Sequence, residues 1–337
     1  MKLHRVIGLL IISVSLVGGW FLWDYQLVKD ASLPLDGPMA FEIKPGSSVR
    51  SVARDLRLKG LIEKPRYFEI MARLSGQARR LKVGEYTLPM RTTPRLLLGL
   101  FVEGRVKQYS LTLIEGWDFR QVLRSVSEHP ALRHQLNGTQ PEEVMPMLGL
   151  EGIHPEGRFY PDTYHFPRGM TDIEFLKRAY RDMEQALAAE WSRRAEALPY
   201  ASPYEALIMA SIVEKETGKA SERAYIAGVF VRRLEKRMRL QTDPTVIYGM
   251  GTKYNGNIRK RDLTTDTPYN TYTRRGLPPT PIAMPGLASI RAALHPEDGI
   301  ALYFVSKGDG SHYFSATMAE HNKAVDRYQR RRRPRSK

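Results

Sequence analysis

An unbroken run of uncharged, mostly apolar residues near the start of the chain constrains everything that follows: Val6 to Trp23 reads VIGLLIISVSLVGGWFLW. A helix of that length, at 1.5 Å rise per residue, reaches about 27 Å, close to the hydrocarbon thickness of a bilayer. Lys2 and Arg5 precede the run and Asp24 closes it. The positive-inside rule then leaves residues 1–5 in the cytoplasm and puts the remainder of the chain outside. A cleaved signal peptide has a shorter apolar core that ends at small residues. This run ends in Trp20, Phe21 and Trp23, aromatic side chains suited to a membrane interface, so a retained single-pass anchor over 6–23 is expected.

Past the anchor, more than 300 of the 337 residues remain, enough for about two domains with their own cores. The chain is 42% hydrophobic and 26% charged, which excludes a largely disordered protein. The absence of cysteine removes disulfides, zinc–thiolate sites, thiol nucleophiles and lipoprotein attachment together. A net charge of +16 suits an anionic partner: nucleic acid, an acidic lipid surface or a polyanionic envelope. No nucleic-acid recognition motif accompanies that charge, so nucleic acid is not expected as a partner. Arg327, Arg330, Arg331, Arg332, Arg333, Arg335 and Lys337 crowd the last stretch of the sequence, and 328–337 reads as a basic tail. That tail is either simply solvated or lies on anionic polymer or lipid.

Residues 24–38 show no periodicity and read as a linker. A strand-like Phe41-Glu42-Ile43 is followed by a turn at Pro45-Gly46-Ser47 and by Ser48, which can cap a helix burying Val49, Val52, Ala53 and Leu56. About seventy positions later Leu111 and Leu113 alternate, Glu115-Gly116-Trp117-Asp118 turns, and Phe119, Val122, Leu123 and Val126 line a helix. Gly84 to Leu88 reads as a strand between them, and Thr93-Pro94 starts another helix. The opening strand–turn–helix resembles a LysM domain, a small glycan-binding fold, although a generic strand before a capped helix reads the same way. Residues 135–156 look irregular. Amphipathic helices are expected near 172–197, 203–217 and 221–239, with loops rich in Gly, Pro, Thr, Asn and Tyr over 240–315. The fold class is therefore α+β: a transmembrane helix, a small LysM-like α+β module over 39–135 and a larger α+β domain over 136–327.

The segment that best fits chemistry is Leu207 to Gly218, a helix running into a glycine. On a helical wheel Glu216 stands over Ile212, Val213 and Met209. Apolar surroundings and the negative end of the helix dipole both disfavour a carboxylate there, and a group kept protonated near neutral pH can serve as a general acid. A surface Glu paired with Lys219 or Arg223 is the plainer reading. Glu214, over Ala210 and Leu207, is barely separated from Glu216 by spacing alone. Sugars are bound by aromatic faces and by short polar side chains. Such mixtures occur in Gly157 to Tyr164, with Tyr160, Asp162 and Thr163, in Gln241-Thr242-Asp243, and at Tyr248 and Tyr254. Asn270 and Asp243 could equally hold turns or caps, and His321-Asn322 faces either a cleft or solvent. No metal-ligand spacing and no phosphate-cradling glycine loop occurs, so no metal and no cofactor is expected.

The segment Ser211-Ile212-Val213-Glu214-Lys215-Glu216-Thr217 resembles the helix end of lytic transglycosylases, where the catalytic Glu is followed by Ser. Thr217 stands where that Ser would be and keeps its hydroxyl, which selects Glu216 over Glu214. The blocks Ala220 to Arg223, Met238 to Gly249, Tyr269-Asn270-Thr271-Tyr272, Gly276 to Pro279 and Pro281-Ile282-Ala283 are similar to the YceG/MltG family of endolytic murein transglycosylases. They cover most of 157–325.

The resemblance implies non-hydrolytic cleavage of the β-1,4 bond between N-acetylmuramic acid and N-acetylglucosamine in peptidoglycan, leaving 1,6-anhydro ends, at the outer face of the inner membrane. Cell-wall synthases stand as candidate partners. Glu216 would act alone as acid and then base. The expected substrate-binding set is Tyr160, Asp162, Thr163, Glu214, Thr217, Gln241, Thr242, Asp243, Tyr248, Asn270 and Tyr272. Two rival readings are open. A hydrolase would need a second carboxyl, with Asp243 or Asp162 the best placed. A non-catalytic wall-binding anchor would use the second domain as scaffold.

Overall fold

The computed structural model describes residues 2–330, with the side chains of 2–5 and 330 left out. Residue 1 and the basic tail from 331 onward lie outside the described residues. The chain is mixed α+β and forms two compact units: Met1–Tyr109 with His165–Gly169, and Ser110–Tyr164 with Met170–Lys337.

The first unit opens with α1 (Lys2–Asp30). This helix is long and apolar enough over Val6–Asp30 to cross a membrane, and none of that window is buried within the protein. Residues 24–30, read above as linker, continue the helix. The sequence there contains no Gly or Pro to stop it, the first proline being Pro34. Tertiary contacts reinforce this: Lys64 Nζ and the Tyr67 hydroxyl donate to Asp24 at 2.7 and 2.6 Å, and Tyr67 packs edge-on against Phe21 and Tyr25.

Next come β1 (Met39–Ile43), α2 (Val49–Leu58), α3 (Pro65–Leu74), β2 (Gly84–Leu88), α4 (Pro94–Glu103) and β3 (Gln108–Thr112). β1 and β2 pair antiparallel, Met39 opposite Leu88 and Ile43 opposite Gly84. Ser48 caps α2 through a capping box with Ser51, and Val49, Val52, Ala53 and Leu56 are its buried face, as the spacing requires. Thr93 caps α4, Pro94 occupies its first position, and Gly104 ends it with φ 74°. Phe41, Phe68, Tyr86 and Phe101 meet at the centre of this core, with Tyr86 and Phe101 ring centres 4.8 Å apart.

The second unit contains α5 (Phe119–Ser127), α6 (Pro141–Met147), α7 (Asp172–Trp191), α8 (Pro203–Glu216), α9 (Arg223–Glu235), α10 (Asp243–Met250), α11 (Lys260–Thr264), α12 (Leu287–Leu294) and α13 (Met318–Val325). β4 (Thr163–Pro167) pairs with β3, and β5 (Tyr303–Ser306) with β6 (His312–Ser315). Asp118 caps α5 after the turn at Gly116, where φ is 78°. The same left-handed glycine occurs at Gly46, φ 79°, in the other strand–turn–helix unit, so the two sequence copies share a turn conformation as well as a pattern.

At the centre lies α8. Every residue from Ala206 to Val213 is buried. A helix apolar on all sides must be covered on all sides, and α7, α9, α10 and α12 all contact it. Two stretches read as irregular prove to be structured. Residues 135–156 hold α6, hidden from a sequence reading by its length and by Pro146 inside it. Residues 240–315 hold α10, α11, α12 and the β5–β6 hairpin, elements of eight residues or fewer that tertiary packing stabilises where local periodicity is too short to register.

Candidate functional site

α8 ends at Glu216 because Thr217 turns extended, with φ −148° and ψ 132°. The stop precedes the expected glycine by two positions. Glu216 is half-buried, while Met209, Ile212 and Val213 behind it are fully buried in the core. Its carboxyl opens into a cleft of about 490 Å³ that is also lined by Arg233, Gln241, Asp243, Tyr272 and Tyr303. β5, β6 and α13 complete the wall through Phe304, His312, Met318, His321 and Asn322.

The electrostatics favour a neutral acid. Burial raises the pKa of Glu216 to about 7, and the neighbouring Asp243 adds to the rise. Two features oppose it: the Thr242 hydroxyl donates to Glu216 Oε1, and the Arg233 guanidinium is close enough to favour the anion. Arg233 is itself buried, at 7% exposure, and its charge is satisfied by carbonyls. Nε donates to Leu302 O at 2.6 Å, and one terminal nitrogen to Leu240 O at 2.8 Å and Arg239 O at 3.1 Å. The guanidinium lies over the Tyr303 ring, its Cζ 5.0 Å from the ring centroid, and Tyr303 stacks on His321. The Nδ1 atom of His321 is buried with no hydrogen-bond partner among the described residues.

The segment before α10 supplies the opposite wall. Gln241 has φ 52°, a left-handed conformation that disfavours a non-glycine residue by about 1 kcal/mol. Hydrogen bonds hold it there: its N–H donates to Thr271 O, and the N–H of Thr242 to Thr271 Oγ1, both at 3.1 Å. Tyr272 donates its hydroxyl to Asp243 Oδ1 at 2.6 Å. Thus Glu216, Gln241, Thr242, Asp243 and Tyr272 come together, although 56 positions separate the first from the last.

The remaining expected residues do not line this cleft. Asn270 is 1% exposed, and its amide donates to the carbonyls of Asp262, Leu263 and Thr265 while its oxygen accepts from Tyr272 N. It is a loop brace that sets the position of Tyr272. Thr217 is buried and accepts from Lys219 N. Glu214 accepts from Gly286 N at 3.0 Å and Arg223 at 3.4 Å. Tyr160 packs on the α8 core. Asp162 and Thr163 sit where β3 and β4 meet, with Thr163 bonded to Thr112. Tyr248 lines a different cavity and donates to Glu156 Oε2 at 3.0 Å.

Sequence reasoning missed Arg233, one of two consecutive arginines in α9 with no local sign of burial. It also missed Glu156, 3% exposed and held by burial at a pKa of about 8 despite hydrogen bonds from Phe119 N and Tyr248. The signal for Glu156 was weak: it stands one residue before a segment already singled out.

The sequence model of the YceG-like family matches residues 41–327. The chain is 30% identical over 330 residues to an endolytic murein transglycosylase of Bacillus subtilis, covering 93% of this chain and 91% of that one. It is 27% identical over 357 residues to an endolytic murein transglycosylase of Streptococcus pneumoniae, covering 94% of this chain but only 63% of the longer relative. A crystal structure of a yceG-like protein from Listeria monocytogenes superposes with a TM-score of 0.55 at 32% identity, covering 86% of this chain and 99% of that one. A match spanning nearly everything beyond the apolar helix makes this chain a member of the YceG-like family.

Proposed function

We propose that this chain is a membrane-anchored endolytic lytic transglycosylase that cuts the glycan strands of peptidoglycan, with Glu216 as its catalytic carboxyl. One observation carries the reading: a carboxyl at the end of α8, pushed by burial to a pKa of about 7, opens into a polar, aromatic cleft. The names of the Bacillus and Streptococcus relatives support the same substrate.

In this reading Glu216 first donates its proton to the glycosidic oxygen between N-acetylmuramic acid and N-acetylglucosamine, and the bond from that oxygen to C1 breaks. The carboxylate then takes the proton of the sugar's own C6 hydroxyl as O6 bonds to C1, closing a 1,6-anhydro ring and restoring the acid. The nucleophile belongs to the substrate, so no water has to be positioned. Thr242 and Arg233 stabilise the anion between the two steps. Tyr272, Tyr303 and Gln241 offer ring faces and an amide to the sugars.

The apolar helix is read as an inner-membrane anchor with its N-terminus cytoplasmic and both units outside. The antiparallel β1–α2–α3–β2 arrangement supports the LysM-like reading of the small module. Cell-wall synthases remain proposed partners.

The decisive experiment digests purified glycan strands with wild type and Glu216→Gln and weighs the products. Anhydro ends from wild type and none from the variant are expected; full activity in Glu216→Gln would refute the role. A second reading, hydrolysis, is favoured by one fact: Asp243 shares the cleft, whereas Asp162 does not line it. Products heavier by one water would select that reading.

A further inference from the structure

A second cavity, of about 660 Å³, lies on the other flank of α10. Asp243, the first residue of that helix, lines the Glu216 cleft, while Pro244, Ile247 and Tyr248 line this one. Lys215, adjacent in sequence to Glu216, lines it too. The two cavities therefore share the end of α8 and the start of α10.

The charge of the second cavity is mostly positive. Arg120 and Arg124, one turn apart on α5, both line it, both are exposed, and neither has an ion pair among the described residues. Lys215 donates to Gly116 O at 3.0 Å, a carbonyl that leaves its charge uncancelled. Of the acidic residues in the lining, Asp118 is engaged as the α5 cap, accepting from Gln121 N at 2.8 Å. Glu156 is buried and, with its pKa near 8, largely uncharged at neutral pH. Tyr254, Tyr269 and Ile282 provide ring and aliphatic surface. Such a pocket fits a small ligand that carries carboxylates together with apolar side chains.

The sugar chain itself offers few charges to match, but each muramic acid bears a short peptide with free carboxylates. We infer that this second cavity seats the carboxylate-bearing peptide stem of the strand whose sugars occupy the Glu216 cleft. The inference rests on the transglycosylase reading for the identity of the strand, and on Arg120, Arg124 and Lys215 for the recognition of the stem.

The test uses the full chain in detergent and an Arg120→Ala/Arg124→Ala double variant. Cleavage of peptide-bearing strands is compared with cleavage of strands stripped of peptide by an amidase. Wild type is expected to prefer peptide-bearing strands, and the double variant to lose about tenfold of that preference, through KM rather than kcat, the order expected for lost charge-assisted hydrogen bonds. An unchanged preference overturns the inference. In parallel, a fluorescent muramyl tripeptide with free carboxylates and its amidated form are titrated into both proteins. Tighter binding of the free acid by wild type, abolished in the double variant, supports the cavity assignment even if wild type cuts no strand, which would sink only the transglycosylase reading. Equal affinity of wild type for the two probes overturns the cavity assignment even if strands are cut.

Discussion

Thr242, one residue before α10, donates its hydroxyl to the carboxyl of Glu216, the last residue of α8. The bond ties the floor of the cleft to its wall and works against the burial that keeps Glu216 protonated. Removing it should leave only the Arg233 charge to oppose burial. Thr242→Val is therefore expected to move the alkaline limb of the pH–rate profile, set by loss of the Glu216 proton from about 7, to higher pH, and to lower the maximal rate as the anion loses a donor. Measured kcat/KM against pH decides it, and an alkaline limb that stays in place would rule the coupling out.

Glu214, two residues away, is predicted to behave differently. Its side chain is 7% exposed and accepts from Gly286 N and Arg223. Glu214→Ala strands a buried N–H and a nearly buried guanidinium, a loss of roughly 2–3 kcal/mol. Glu214→Gln keeps an acceptor for Gly286 and should cost less. Chemical denaturation should show both losses, while activity per folded molecule stays near wild type. Inactivity of well-folded Glu214→Gln would exchange the roles assigned to the two glutamates.

The α8 segment shows what local sequence can and cannot reveal. Met209, Ile212 and Val213 mark the wall behind Glu216 because helical spacing is a local property. The cap at Ser48 and the helix start at Thr93-Pro94 are legible for the same reason. Arg233 and Glu156 are not, because their burial is created by residues far along the chain: Leu302 is 69 positions from Arg233, and Tyr248 is 92 from Glu156. Asn270 misleads in the opposite direction. A polar side chain suited to sugar hydroxyls is equally suited to loop carbonyls, and only the fold decides which it meets.

Glu156 also makes stability depend on pH. Its folded pKa, about 8, is raised from an ordinary value of 4.5, so its contribution is fully present below pH 4.5 and is lost as pH rises through 8. Glu156→Gln retains an acceptor for Phe119 N and Tyr248 without a proton to lose. The variant should match wild type near pH 4 and exceed it above pH 8 by a few kcal/mol, on the order set by that displacement. Thermal melts from pH 4 to 9 test this, and a stability difference that does not change with pH would remove Glu156 as the source.

Two glycines near the α8 core make a matched pair. Gly157 has φ 77°, and a Cβ there would lie 2.5 Å from Pro281 Cβ and 2.6 Å from its Cγ. A proline ring cannot swing aside, so Gly157→Ala combines backbone strain with overpacking and should lose roughly 2–4 kcal/mol. At Gly286, where φ is −77°, the three atoms nearest an added Cβ all belong to the Glu115 side chain, its Oε1 closest. That side chain is 48% exposed and can rotate into solvent. Gly286→Ala should therefore cost under about 1 kcal/mol despite the shorter contact, because what decides the penalty is whether the obstructing atom can leave. Urea denaturation of the two variants orders them, and a larger loss at Gly286 than at Gly157 would show that Glu115 is held in place by something stronger than its contact with Arg223, 3.9 Å away.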